Sequence, residues 1–143
     1  MNKEHAGCYC GNISAEVTLT KELSEYIPRA CDCDFCIKNG AAYISDPEGS
    51  IEIKINQPDE TTLYKQGDNL VELLICKICG VLVTVTYTGN NSFIGGLNSK
   101  TLVNRSSLPP CQTASPKLLS ASQKVERWKE IWFPDISIDR ASS

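Results

Sequence analysis

The chain has 143 residues, with 14 Lys and Arg against 17 Asp and Glu, a net charge of −3 and 41% hydrophobic residues. That is the make-up of an ordinary globular protein with one core, and its acidic surplus excludes the basic surface that nonspecific nucleic-acid or anionic-membrane binding requires. No run reaches the length of a transmembrane helix, and residues 1–7 lack the apolar stretch of a secretory signal. The sequence therefore predicts a cytoplasmic single domain over 1–143, with a core over about 7–100 and a Ser/Pro-rich loop and helix over 104–143. It points to no nucleic-acid or membrane partner and leaves the oligomeric state open.

In chain order, Gly7-Cys8-Tyr9-Cys10-Gly11 makes a compact turn. Ile13, Ala15, Val17 and Leu19 then fall at every second position, the period of a half-buried strand. A polar connection with Pro28 leads to Cys31-Asp32-Cys33-Asp34-Phe35-Cys36, which packs three thiols into one short loop. Asn39-Gly40 is a turn pair, residues 41–44 can form a short strand, and Asp46-Pro47-Glu48-Gly49 is another turn. Residues 51–55 alternate cleanly, and 61–64 read as a third strand. Residues 70–75 run straight into Cys76-Lys77-Ile78-Cys79-Gly80, and the β-branched stretch 81–87 leaves it. Strand, cysteine knuckle and strand make a hairpin whose tip grips a metal. Residues 93–97 form a further strand, and 104–117 are a loop rich in Ser, Pro and Asn that holds the eighth cysteine, Cys111. Ser120 and Gln123 have capping-box spacing, Val125, Trp128, Ile131 and Trp132 share one helical face, and Pro134 ends that helix. The apolar stripe reads as packing on the sheet.

Eight cysteines in a secreted chain would suggest four disulfides, but a reducing compartment argues for metal. Spacing argues the same way, because thiols one residue apart diverge unless a shared ion draws them together. Two clusters, Cys8-Tyr9-Cys10-Gly11 and Cys76-Lys77-Ile78-Cys79-Gly80, place glycine directly after the last thiol, where a backbone turning around a metal takes positive φ. The central cluster has Ile37 there. This assigns Cys8, Cys10, Cys76 and Cys79 to a closed structural zinc site, although spacing alone also permits the central cluster to join one knuckle. Cys31, Cys33 and Cys36 remain as a second set. Asp32, Asp34, Cys111 and His5 are candidate fourth ligands; the carboxylates lie between thiols and point away, Cys111 reads as a partly buried free thiol, and His5 as solvated in the N-terminal tail. Three thiolates and a vacant position describe an open, catalytic zinc.

The ordered pattern CxCG, CxCxxC, CxxCG from Gly7 to about Leu97 resembles the glutathione-dependent formaldehyde-activating enzyme (GFA/CENP-V) family, with seven cysteines in register. The resemblance implies a mainly β, Mss4-like β-tent with zinc-stapled sheets and a short C-terminal helix. It implies a structural zinc on Cys8, Cys10, Cys76 and Cys79 and a catalytic zinc on Cys31, Cys33 and Cys36. The implied activity is that of a carbon–sulfur lyase, joining glutathione or another small thiol to formaldehyde or another small aldehyde. Asp32 stands where the family commonly has His, and Ile37 where it has a basic residue. Those changes make the site more negative, with Arg29, Lys38 and Lys77 as candidate counter-charges. The alternative readings are a non-catalytic zinc-binding interaction module and a small-thiol carrier.

Overall fold

The structure, a computed structural model, describes residues 1–65, 70–89 and 91–141. In chain order its elements are β1 (Asn2–Gly7), β2 (Ile13–Leu19), β3 (Arg29–Cys31), α1 (Asp34–Asn39), β4 (Tyr43–Ile44), β5 (Ser50–Ile55), β6 (Thr61–Lys65), β7 (Glu72–Cys76), β8 (Leu82–Gly89), β9 (Ser92–Asn98), β10 (Gln112–Ala114), α2 (Ala121–Ile131) and β11 (Asp135–Arg140). They form a four-stranded sheet in the order β1-β2-β5-β11 and a seven-stranded sheet in the order β10-β3-β4-β9-β8-β7-β6. The mainly β fold expected from the sequence is what forms, with two sheets and cysteine clusters that can hold zinc.

The cleanest alternations build the first sheet. Ile13, Ala15 and Val17 sit opposite Ile55, Ile53 and Ile51 across the β2–β5 ladder, and all six are buried. Phe133 lies in the same core with no exposed surface, a burial that contributes about 2–3 kcal/mol. Adjacent residues Leu73 and Leu74 of β7 enter different cores, as opposite faces of one strand require. One core lies with the four-stranded sheet; the other gathers Cys36, Tyr43, Leu73, Leu82 and Val85 with Trp128, Ile131 and Trp132 of the α2 region. The predicted capping box is present: Gln123 N donates to Ser120 Oγ and Ser120 N to Gln123 Oε1.

Asp46 fixes the turn that follows β4. It accepts from Thr20 N at 2.9 Å, Thr20 Oγ1 at 2.6 Å, Tyr26 Oη at 2.6 Å and Glu48 N at 2.9 Å. Burial pushes its carboxyl up, but these donors outweigh it and hold the group below the usual carboxylate range.

Several segments differ from the sequence reading. The supposed N-terminal tail is β1, paired from Asn2↔Leu19 to Gly7↔Ser14; only Ala6 of its side chains is buried, so no apolar period marks it. Asn39-Gly40 closes a helix rather than a free turn, Gly40 being the left-handed C-cap of α1 (φ 72°). The polar stretch 104–117 contains β10, which pairs in parallel with β3. The helix is not the last element: beyond Pro134 the chain forms β11, parallel to β5. Among the described residues no helix is long and apolar enough to cross a membrane.

Candidate metal and ligand-binding site

The four thiols assigned to one site converge. The sulfurs of Cys8, Cys10, Cys76 and Cys79 lie within 4.8 Å of one another, with Cys8–Cys10 at 3.7 Å and Cys10–Cys76 at 3.6 Å. A tetrahedral zinc with Zn–S of about 2.3 Å requires sulfurs about 3.8 Å apart, so the donor set fits the ion. The backbone wraps it as the glycines indicated: Gly11 has φ 89° and Gly80 φ 79°, and Gly80 N donates to Cys76 O at 2.8 Å. Burial opposes ionisation of Cys79, but backbone N–H groups of Cys10 and Val81 and neighbouring thiols outweigh it and draw the group down to about 6.

The central thiols form a second cluster, with Cys31, Cys33 and Cys36 sulfurs also within 4.8 Å of one another. β3 delivers Cys31, and Cys33 is the N-cap of α1, its sulfur accepting from Cys36 N at 3.4 Å. Ile37 follows Cys36 because the chain continues as helix, so no positive φ is required there. A hydrogen bond from Cys36 draws the Cys31 thiol down to about 6 against the pull of burial. That same partnership, followed by burial, raises Cys36.

No fourth protein ligand joins this cluster among the described residues. Asp34 is exposed, His5 projects from β1 into solvent, and Cys111 is exposed, where the sequence had it partly buried. Asp32 is half-buried, and its Oδ2 accepts from Ser115 Oγ at 2.5 Å. Of the candidate counter-charges, Lys77 sits at the other cluster and reaches Asp59 O at 3.4 Å, and Lys38 is exposed in the last turn of α1. Arg29 alone lines the cavity over the central thiols.

That cavity, about 660 Å³, has Cys31, Cys33 and Cys36 in its wall. Its other walls are β10, Leu73 and Val85 of the sheet, and α2 with Trp128, Ile131 and Trp132. The helical stripe thus packs on the sheet and also walls a cavity. The two indoles stack with centroids 4.6 Å apart and planes 9° off parallel. Tyr43, which the sequence reading missed, places its hydroxyl 3.6 Å from the Cys36 sulfur. Burial keeps that phenol protonated. Only chain pairing reveals Tyr43, because it reaches the site by facing Arg29 across β3 and β4.

These features define a mainly β protein with one closed four-sulfur cluster and one three-sulfur cluster that opens on a cavity. No protein-family model matches the chain, and no curated protein matches it. Among solved structures, it is similar to a Rhodobacter sphaeroides protein determined by crystallography in a structural-genomics programme. The two are 24% identical, with a TM-score of 0.53, over 76% of this chain and 99% of the other. That likeness concerns the fold.

Proposed function

We propose that the chain is a zinc protein with a structural ion on Cys8, Cys10, Cys76 and Cys79 and a catalytic one on Cys31, Cys33 and Cys36. We further propose that it is a carbon–sulfur lyase-type enzyme joining a small thiol, such as glutathione, to formaldehyde or another small aldehyde. The observation that carries this reading is the contrast between the clusters: the three-sulfur set faces a cavity of about 660 Å³, whereas the four-sulfur set is complete. The resemblance to the GFA/CENP-V family supports the same division of roles.

In the addition, the thiol sulfur bonds to the aldehyde carbon, the S–H bond breaks, and the proton ends on the former carbonyl oxygen; nothing is oxidised. Zinc held by the central thiols would supply Lewis acidity, polarising the carbonyl or lowering the pKa of the attacking thiol. The chain's own contribution is positional. Tyr43 holds a phenolic proton 3.6 Å from the Cys36 sulfur, where it can donate to oxygen that gains charge. Trp128, Trp132 and Ile131 line the cavity and make its wall beside the thiols apolar. All eight cysteines are free, which suits a reducing compartment, and we infer a cytoplasmic setting.

The test is zinc per chain in anaerobically purified protein, with and without thiol, beside the rate of S-hydroxymethyl adduct formation from formaldehyde. Two zincs and a rate above the spontaneous one, both reduced in Cys33→Ser, are expected. One zinc per chain that ignores thiol, with no rate enhancement, would overturn the reading. Two zincs with thiol binding but no acceleration would make the protein a thiol carrier.

A further inference from the structure

Apart from the thiols, the charged side chains lining the central cavity carry one sign. Arg29, Lys124 and Arg127 face it, and no Asp or Glu is among its described lining residues. The neighbouring carboxylate, Asp32, turns Oδ2 to the Ser115 hydroxyl. Arg29 is largely enclosed and pinned by a 2.6 Å hydrogen bond from Nη2 to Ser45 Oγ. Arg127 lines the same cavity, so the two guanidiniums share it and repel each other as like charges. Among the described residues neither forms an ion pair. An anion between them would relieve that repulsion and gain charge-assisted hydrogen bonds.

The rest of the wall is apolar and dominated by the stacked faces of Trp128 and Trp132. About 660 Å³ is the size of a site that encloses a ring-bearing molecule, far more than a one-carbon aldehyde fills. The ammonium of glutathione would find no carboxylate among the described lining residues to receive it, so a thiol without that group suits this wall better.

We infer that this cavity selects a reactant with one carboxylate and an apolar, ring-sized body, the carboxylate held by Arg29 and Arg127 and the body against Trp128 and Trp132. This rests on the lyase reading of the same site and specifies which thiol or aldehyde that site takes. The chemical step is unchanged: a carbon–sulfur bond forms and the thiol proton moves to oxygen.

The chain has two tryptophans, and both line the cavity, so indole fluorescence reports occupancy without turnover. The probes are 3-phenylpropanoate and its uncharged analogue 3-phenylpropanamide, titrated into the zinc-loaded protein. The carboxylate should saturate the signal and bind about tenfold more tightly than the amide, the factor expected when one charge-assisted contact replaces a neutral one. In Arg127→Gln the preference should fall to about twofold, while Arg127→Lys retains most of it. Equal binding of acid and amide in the wild type, or no saturation by the acid, overturns the inference without reference to any variant. A preference unchanged in Arg127→Gln also overturns it, since the carboxylate would then be read by the metal cluster. Carboxylate preference without turnover of any thiol–aldehyde pair defeats the lyase reading alone. Turnover of small uncharged thiols without that preference defeats this inference alone.

Discussion

The four-sulfur cluster joins the turn after β1 to the end of β7, and the sharpest expectation concerns what that link does for stability. Cys10 and Cys76 lie 66 positions apart. Closing a loop of that length removes denatured-state entropy worth about 4 kcal/mol by the relation used for crosslinks. The same relation gives about 2 kcal/mol for the six-residue span of the central cluster. The perturbation is the pair Cys8→Ala and Cys10→Ser, which detaches one arm and leaves the hairpin thiols in place; Cys10 is exposed, so serine there puts no new polar group in the core. With a urea slope of about 2 kcal/mol per M, the unfolding midpoint of the zinc-loaded protein should fall by about 2 M. Chelation should lower the wild-type midpoint by a similar amount and leave that of the variant nearly unmoved. Against a typical stability of about 5–15 kcal/mol, this is a large share of the total. The reasoning is refuted if the double variant shifts by less than about 0.5 M, or by no more than Cys33→Ser does.

Two further outcomes follow from buried polar groups. The Asp46 carboxyl lies below its ordinary range when folded, so its contribution is present above the unfolded value and is lost as pH falls through the folded one. Acid titrations followed by far-UV circular dichroism should show wild-type stability declining through that window and Asp46→Asn, already destabilised at neutral pH, declining less; parallel curves would contradict this. Thr84 is fully buried and its hydroxyl has no hydrogen-bond partner among the described residues, so Thr84→Val should stabilise by about 1 kcal/mol in thermal unfolding. A lower midpoint would refute this.

The sequence revealed most where one face of a strand was apolar. Ile13 to Leu19 and Ile51 to Ile55 advertise their inner faces, and both strands lie where the alternation put them. β1 hid because it is an edge strand whose outward residues are polar, and its pairing is fixed by β2 rather than by its own pattern. β10 is three residues long, two of them exposed, and exists because β3 offers it a parallel partner. The cysteine sorting was legible because the requirement is local: Gly11 and Gly80 take positive φ while Ile37 sits inside a helix. The cavity was not legible. Its thiols come from one segment, but Tyr43, Arg127 and the indoles reach it through strand pairing and helix packing, which leave no mark in any short window. The changes at Asp32 and Ile37 read as making the central loop more negative, and Arg29, one of the candidate counter-charges, lines the same cavity as its thiols.

The pairing of early and late segments sets a timetable for the ribosome. At about 5–20 residues per second, Cys10 waits some 3–14 seconds for Cys79 to be made. Cys31, Cys33 and Cys36, by contrast, are complete within about a second of one another. They then stand unroofed until β10 and α2 follow. The nascent chain thus offers its local trio to metal first and its long-range staple last. Metal that arrives during synthesis therefore meets the trio before the four-sulfur set exists.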